Sequence, residues 1–182
     1  MKITAVKTIG LRWECPVMSD AMSVCRARQA LWIKIETDTE IYGIGEAFCY
    51  GSPLVIAKHI VEDQLAPAII GEDPENIELL WQRMYWRNVP NGRTGLVMGC
   101  ISGIDIALWD ILGKAAKMPV CKLLGAHSDR VPAYASGGFY APGKDLDGLK
   151  KEVEGYLKKG YQDVKIKIGR NPEIAGNAVN YT

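Results

Sequence analysis

The sequence has little of what zinc sites and disulfide frameworks need. Its 182 residues include only two histidines, His59 and His127, and no two cysteines have the C-x-x-C spacing. An odd number of scattered cysteines in this context predicts reduced thiols in a cytoplasmic protein rather than a disulfide framework or a zinc site. The five are Cys15, Cys25, Cys49, Cys100 and Cys121.

The sequence also lacks the charge and the apolar runs that nucleic-acid and membrane partners require. The net charge is +1 and no basic block is present, so nothing favours nucleic acid as a partner. Residues 1–7 lack the apolar core of a signal peptide, and no apolar run is predicted to span a bilayer. The whole sequence is 48% hydrophobic and 24% charged residues, which is the ordinary composition of a soluble globular protein.

The first part of the chain predicts a three-stranded meander. Residues 2–11 alternate weakly, and 31–35 and 41–45 form two strand patterns around the polar turn 37–40, which indicates a hairpin. The stretch from Trp13 to Ala27 contains Pro16 and shows no clear period, and is therefore interpreted as a loop.

A helical bundle is predicted to follow the meander. Ser52-Pro53 and Asp73-Pro74 each place a capping residue before a proline, which is typical of helix starts. The longest helix is predicted over 96–116, apolar around most of its circumference and therefore central. Its Gly99, Gly103 and Ala107 are four residues apart, which leaves one side smooth enough for close packing against a neighbouring element.

The second part of the chain predicts a βαβ unit. A strand pattern at 131–136 precedes a helix pattern at 145–160, which Gly160 ends, and a second strand pattern lies within 161–169. The polar stretch 126–130 separates the two parts, so we predict domains at 1–125 and 126–182.

Lys165 and Lys167 are the most informative residues of the second strand. Side chains two apart in a strand point to the same face, so the two ammonium groups lie on one side and Val164, Ile166 and Ile168 on the other. Spacing alone is compatible with two solvated lysines on an exposed face. It is also compatible with lysines that face the interior of a closed parallel barrel.

Two segments of the first part resemble a known family. Residues 103–114 (GIDIALWDILGK) and 119–125 (PVCKLLG) resemble the mandelate racemase/muconate lactonizing enzyme branch of the enolase superfamily. Three further segments follow in the family's order: GIGEA at 43–47, YAS at 134–136 and KIK at 165–167. The resemblance implies an α+β capping domain, made of the meander and the helical bundle. The first β/α units of a TIM-like (β/α)7β barrel follow it, and the barrel is incomplete in this chain.

The resemblance implies an enzyme that removes the proton α to a substrate carboxylate and stabilises the enediolate with Mg²⁺. Lys167 would be the base, and Lys165 would neutralise the carboxylate and favour the uncharged form of its neighbour. Acid-sugar dehydration or racemisation is the expected reaction, on a small hydroxy acid or acid sugar. Cycloisomerisation or epimerisation is the alternative within the superfamily, and a non-catalytic capping or binding module is the alternative outside it.

Further substrate contacts follow from the same resemblance. Ser136 and Tyr134 lie at the end of the first barrel strand, although the Ser136 hydroxyl could equally satisfy a backbone group. Two capping-domain loops, 14–27 and 48–51, would close the barrel mouth. They would present apolar residues and a cation for the substrate: Trp13, Met18, Met22, Phe48, Tyr50 and Arg26 or Arg28. Glu46 and Asp105 are expected to have structural roles.

The family's metal ligands have no counterpart in this sequence. The resemblance puts three Mg²⁺ carboxylates on the third to fifth barrel strands, and the sequence ends at Thr182, just after the second. No metal ligand is therefore assigned, and these 182 residues by themselves are expected to be inactive. The parent enzyme is expected to be a homo-oligomer in the cytoplasm.

Overall fold

The structure is a computed structural model that describes residues 1–21, 23–91 and 93–169. The chain divides into two compact units. The first consists of Met1–Arg12 and Gln29–His127, and the second of Trp13–Arg28 and Ser128–Thr182. Met22 and residues 170–182 lie outside the described residues.

A three-stranded sheet begins the fold, in the order β1-β2-β3. Its strands are β1 (Ile3–Ser19), β2 (Val24–Thr37) and β3 (Tyr42–Ala47). β2 and β3 are antiparallel, with a register from Leu31 beside Ala47 to Glu36 beside Tyr42. The Thr37 hydroxyl donates to the Ile41 carbonyl over 2.6 Å across the turn. The predicted meander and its second hairpin are confirmed.

The predicted loop at Trp13–Ala27 is wrong, because β1 and β2 continue through it as a long hairpin. The turn is closed where the Asp20 carboxylate accepts from the Ser23 N–H over 2.9 Å. Pro16 does not interrupt β1 because that strand lies at the edge of the sheet, where a missing N–H costs no ladder hydrogen bond.

Four α-helices complete the first unit, joined by short π and 3-10 turns: α1 (Leu54–His59), α2 (Ile77–Asn88), α3 (Leu96–Ala115) and α4 (Val120–Leu123). The helix start predicted at Asp73-Pro74 is wrong. The Asp73 carboxylate instead accepts from the Glu75 N–H over 3.1 Å and closes a turn, and α2 begins at Ile77. Pro53 is the N-cap of α1, so this helix begins one residue later than predicted.

The core of the first unit forms where α3 packs on β3. A Cβ atom added to Gly103 would lie 2.8 Å from the Ala47 nitrogen, and one added to Gly99 would lie 2.2 Å from the Phe48 carbonyl oxygen. The predicted smooth side of α3 is therefore confirmed. Fully buried side chains from the sheet and the helical region form this core: Ile33, Ile35, Leu65, Ile69, Leu80, Met84, Ile101, Ile104, Leu108 and Ile111.

By length and composition α3 is apolar enough to cross a bilayer, although no apolar run was predicted to do so. Ten of its 20 residues are buried against the rest of the protein. A core helix meets the same criteria, and the close contact with β3 accounts for the apolar composition of α3.

The second unit contains a parallel βαβ unit, as predicted. β4 (Ala135–Ser136) pairs with β5 (Val164–Lys165), and α5 (Leu146–Lys158) connects them. The Asp145 carboxylate caps α5 by accepting from the Gly148 N–H over 2.8 Å. At the other end, Gly160 has φ of 91°, and the Gly160 N–H donates to the Leu157 carbonyl over 2.9 Å, which is a glycine C-terminal motif.

Both parallel strands are shorter than predicted. The chain from Val131 to Tyr134 precedes the pairing, and Gly138 after β4 has φ of 68°. A positive φ leaves the β region, so β4 ends there and β5 has no further residue to pair with beyond Lys165.

Candidate functional site

Three predicted site residues come together on one face of the β4–β5 sheet. Ser136 lies beside Lys165 in the parallel register, and side chains of neighbouring residues in a ladder point to the same side. The Lys165 Nζ lies 5.9 Å from the centroid of the Tyr134 ring, within cation–π range. All three residues are exposed, whereas Ala135, which points to the opposite face, is buried.

Lys167 lies two residues beyond the paired part of β5 and is half-buried. Its Nζ lies 5.0 Å from the centroid of the Phe139 ring. The Tyr140 hydroxyl, on a residue that is 5% exposed, donates to the Lys167 carbonyl over 3.5 Å. The segment that follows β4 therefore contacts the segment that follows β5, at the strand ends where parallel β/α folds place their active sites.

Glu152 on α5 holds the segment after β4 in place. Its carboxylate accepts from the Gly138 N–H over 3.1 Å and from the Tyr156 hydroxyl over 2.7 Å, and it pairs with Lys144. Lys144 in turn donates to the Phe139 carbonyl over 2.8 Å. A Cβ atom on Gly137 would lie 2.2 Å from the Tyr156 hydroxyl, so only glycine leaves room for this network.

The network changes the acidity of its own members. Burial alone would raise the pKa of the Glu152 carboxyl, but the hydrogen bonds from Lys144, Tyr156 and the Gly138 N–H outweigh it and hold that pKa below its ordinary value. The hydrogen bond to Glu152, followed by burial, raises the pKa of Tyr156 to about 12. Glu152 is therefore a carboxylate, and Tyr156 a neutral donor, at neutral pH.

The tip of the β1–β2 hairpin forms backbone hydrogen bonds with the segment that follows β4. The Ser19 N–H donates to the Tyr140 carbonyl over 2.8 Å, and the Tyr140 N–H donates to the Ser19 carbonyl over 2.9 Å. The predicted substrate contact Arg26 lies on β2 in this unit and is exposed. Met22, also predicted to cover the site, lies outside the described residues.

Phe48 and Tyr50 belong to the first unit, directly after β3. Their rings stack with centroids 6.4 Å apart, and the two residues are 72% and 67% exposed. Both residues are therefore largely exposed, and their role in covering the site stays a prediction.

No sequence pattern predicted a role for Phe139, Tyr140, Lys144 or Glu152. The one local signal for them is the Gly137-Gly138 pair directly after the strand, because paired glycines there indicate a close approach of other groups. Lys144 and Glu152 are 8 residues apart in sequence, and Tyr140 and Lys167 are 27 apart, which is beyond the reach of a periodicity argument.

The two other carboxylates considered from sequence belong to the first unit. Glu46 is exposed on β3, opposite Trp32. Asp105 is half-buried in α3, where burial, and then the charge of Glu78, raises the pKa of its carboxyl. Within 1–21, 23–91 and 93–169, no group of three His, Cys, Asp or Glu side chains could hold a metal ion. The described residues therefore do not fit a magnesium site, and no chemical step is assigned to one.

Comparison with known proteins matches residues 3–125 to the model of the mandelate racemase/muconate lactonizing enzyme N-terminal domain. Arabinonate dehydratase of Saccharolobus solfataricus is 43% identical over 136 residues, which are 75% of this chain and 36% of that protein.

Two solved structures are similar over nearly the whole chain. An enolase-superfamily member from Polaromonas sp. JS666 has a TM-score of 0.81 and 35% identity, over 96% of this chain and 46% of that one. The 3,6-anhydro-D-galactonate cycloisomerase of Zobellia galactanivorans has a TM-score of 0.74 and 30% identity, over 95% and 44%. The chain thus spans less than half the length of each of these relatives.

Proposed function

Since the chain belongs to the mandelate racemase/muconate lactonizing enzyme family, we propose that it is the N-terminal part of an enzyme that removes the proton α to the carboxylate of an acid sugar. Dehydration is the reaction we favour, because arabinonate dehydratase is 43% identical to this chain. The observation that carries the proposal is the shared face of Lys165 and Ser136 at the ends of two parallel strands, with Lys167 following.

The two lysines would have different roles. Exposed Lys165 would attract the substrate carboxylate as an ammonium ion. Half-buried Lys167, whose Nζ lies 5.0 Å from the centroid of the Phe139 ring, would act as the general base that accepts the α-proton. Loss of the β-hydroxyl as water from the resulting carbanion would complete the dehydration. Ser136 would hydrogen-bond the substrate beside Lys165.

The cap residues Phe48, Tyr50 and Arg26 would complete the substrate site in the whole protein. Exposed aromatic rings exclude water when a site closes, which strengthens the electrostatic interactions inside it. Family membership also makes Mg²⁺ dependence part of this proposal for the whole protein, with ligands from residues outside the described ranges. The expected cytoplasmic location and self-association stay predictions.

Cycloisomerisation is the second candidate reaction, because a cycloisomerase shares this fold at 30% identity. Both reactions begin with removal of the same α-proton, so the proposed role of Lys167 does not depend on the choice. A non-catalytic module would not need that lysine.

The test is α-proton exchange in the full-length protein, followed by NMR in deuterium oxide with a panel of aldonates. Lys167→Ala is expected to slow exchange by about 10² to 10⁴, the usual contribution of a general base. Lys158→Ala, on the exposed last turn of α5, is the matched control and should exchange like the wild type. Exchange at the wild-type rate in Lys167→Ala would remove Lys167 from the mechanism.

A further inference from the structure

Two cysteines that the proposed function does not use lie side by side in the β1–β2 hairpin. The Sγ atoms of Cys15 and Cys25 are 3.7 Å apart, on neighbouring strands and ten residues apart in sequence. The Cys25 thiol also donates to the Ala27 carbonyl over 3.4 Å. All five thiols are free.

The backbone at this point suits a disulfide. Neighbouring strands lie about 4.7 to 4.9 Å apart, inside the range of about 4.4 to 6.8 Å that Cα atoms take in disulfides. The sulphur atoms are 3.7 Å apart, so bond formation requires this distance to shorten to an S–S bond length of about 2.05 Å.

The two thiols differ in their access to solvent. Cys25 is half-buried and Cys15 is buried. Burial, and then the hydrogen bond with Cys25, raises the pKa of the Cys15 thiol above its ordinary value. A reagent in solution therefore meets Cys25 first, and Cys15 is the neighbour that resolves the product.

We propose that Cys15 and Cys25 are a modification site, at which a low-molecular-weight disulfide such as oxidised glutathione converts the two thiols into an intrachain disulfide. The Cys25 thiolate attacks one sulphur of the reagent, forms a mixed disulfide and releases one glutathione thiolate. The Cys15 thiolate then attacks the Cys25 sulphur and releases the second. Two electrons pass from the protein thiols to the reagent, whose disulfide becomes two thiols, and the two protons go to solvent or to the released thiolates.

The bond would fasten the hairpin tip that contacts the segment after β4. The ring it closes contains Ser19, which is bridged to Tyr140 by two backbone hydrogen bonds. Cross-linking the strands on either side of Ser19 restricts the motions that would break this bridge. Oxidation is therefore expected to slow amide exchange in residues 17–21.

The experiment incubates the chain with oxidised glutathione at pH 8.5, blocks remaining thiols by alkylation and maps the peptides by mass spectrometry. We expect a single disulfide between Cys15 and Cys25, detected as a peptide that is lighter by two hydrogen atoms and is restored by a reducing agent. Cys49 and Cys100 are buried in the first unit and should be recovered with free thiols. Recovery of Cys15 and Cys25 as free thiols, while exposed Cys121 reacts, would overturn the proposal.

Two serine variants test the order of the steps. Cys15→Ser should stop the reaction at the mixed disulfide, so glutathione accumulates on Cys25. Cys25→Ser should leave Cys15 unmodified. Glutathione on Cys15 in the second variant, or none on Cys25 in the first, contradicts the assignment. Since the wild-type map is a separate measurement, a variant that fails to fold does not prevent the test.

Discussion

The two units of this chain differ in how completely they bury their own apolar surface. In the first, α3 has ten buried residues and lies so close to β3 that backbone oxygens occupy the space of a side chain. In the second, α5 has no buried residue, and Ile166 and Ile168 are 41% and 77% exposed. The first unit therefore contains a complete core, whereas the segment that carries the lysines keeps an apolar face exposed.

The largest expected effect on stability is at the contact between α3 and β3. A Cβ atom on Gly43 would lie 1.9 Å from the Ala107 carbonyl oxygen. We expect Gly43→Ala to lower the free energy of unfolding by about 3 kcal/mol, at the upper end of ordinary overpacking costs, because backbone on both sides must move. Urea unfolding monitored by circular dichroism measures this change in free energy. An unchanged midpoint would show that α3 and β3 have room for a Cβ atom between them.

A smaller loss is expected from the network in the second unit. Glu152→Gln removes a charged acceptor from Lys144, Tyr156 and Gly138. We expect it to lower the free energy of unfolding by about 2 kcal/mol at pH 7, which is typical for hydrogen bonds to a charged group. Glu154→Gln, an exposed glutamate on the same helix, is the matched control and should change little.

The same variant has a defined pH dependence. Because the folded-state pKa of Glu152 lies below its ordinary value, the stabilisation is fully present above the unfolded-state pKa of about 4.3. It is lost as the pH falls through the lower, folded-state pKa. The difference between Glu152→Gln and the wild type should therefore shrink in acid. A difference that stays constant from pH 7 to pH 2 would show that the ionised carboxylate is not what stabilises the network.

The smallest effect should have the opposite sign. Gly155 lies inside α5, and a Cβ atom there would meet nothing within 4 Å. We expect Gly155→Ala to raise the free energy of unfolding by about 0.5 to 1 kcal/mol, since alanine loses less backbone entropy in a helix. Gly160→Ala is the opposing control, because φ of 91° is strained for alanine. A loss of stability in Gly155→Ala would contradict this expectation, because it would show that another group packs against this face of α5.

Features with local causes were predictable from the sequence. The β2–β3 hairpin follows from alternation around a polar turn. The contact of α3 with β3 follows from small residues four apart, and the end of α5 from Gly160. Each of these depends on residues within a few positions of one another, which is the range that periodicity and turn chemistry cover.

Features that depend on distant partners were missed. The strand character of residues 13–19 and 24–27 comes from pairing between β1 and β2, and the edge position of β1 is what tolerates Pro16. The lengths of β4 and β5 depend on the conformation of Gly138, and the support of the site depends on Glu152. The face shared by Lys165, Ser136 and Tyr134 was nevertheless predictable in part, because strand alternation fixes it once the two strands are paired in register.

Hydrogen-exchange mass spectrometry of the 182-residue chain tests the central contrast most directly. If the first unit holds a complete core and the second does not, amides of Leu96–Ala115 should exchange only with global unfolding of their unit. Those of Leu146–Lys158 and Val164–Lys165 should exchange at least about tenfold faster, through local opening. Equal protection of α3 and α5 would contradict this account, and would mean that the segment with Lys165 and Lys167 is already as firmly held as the core of the first unit.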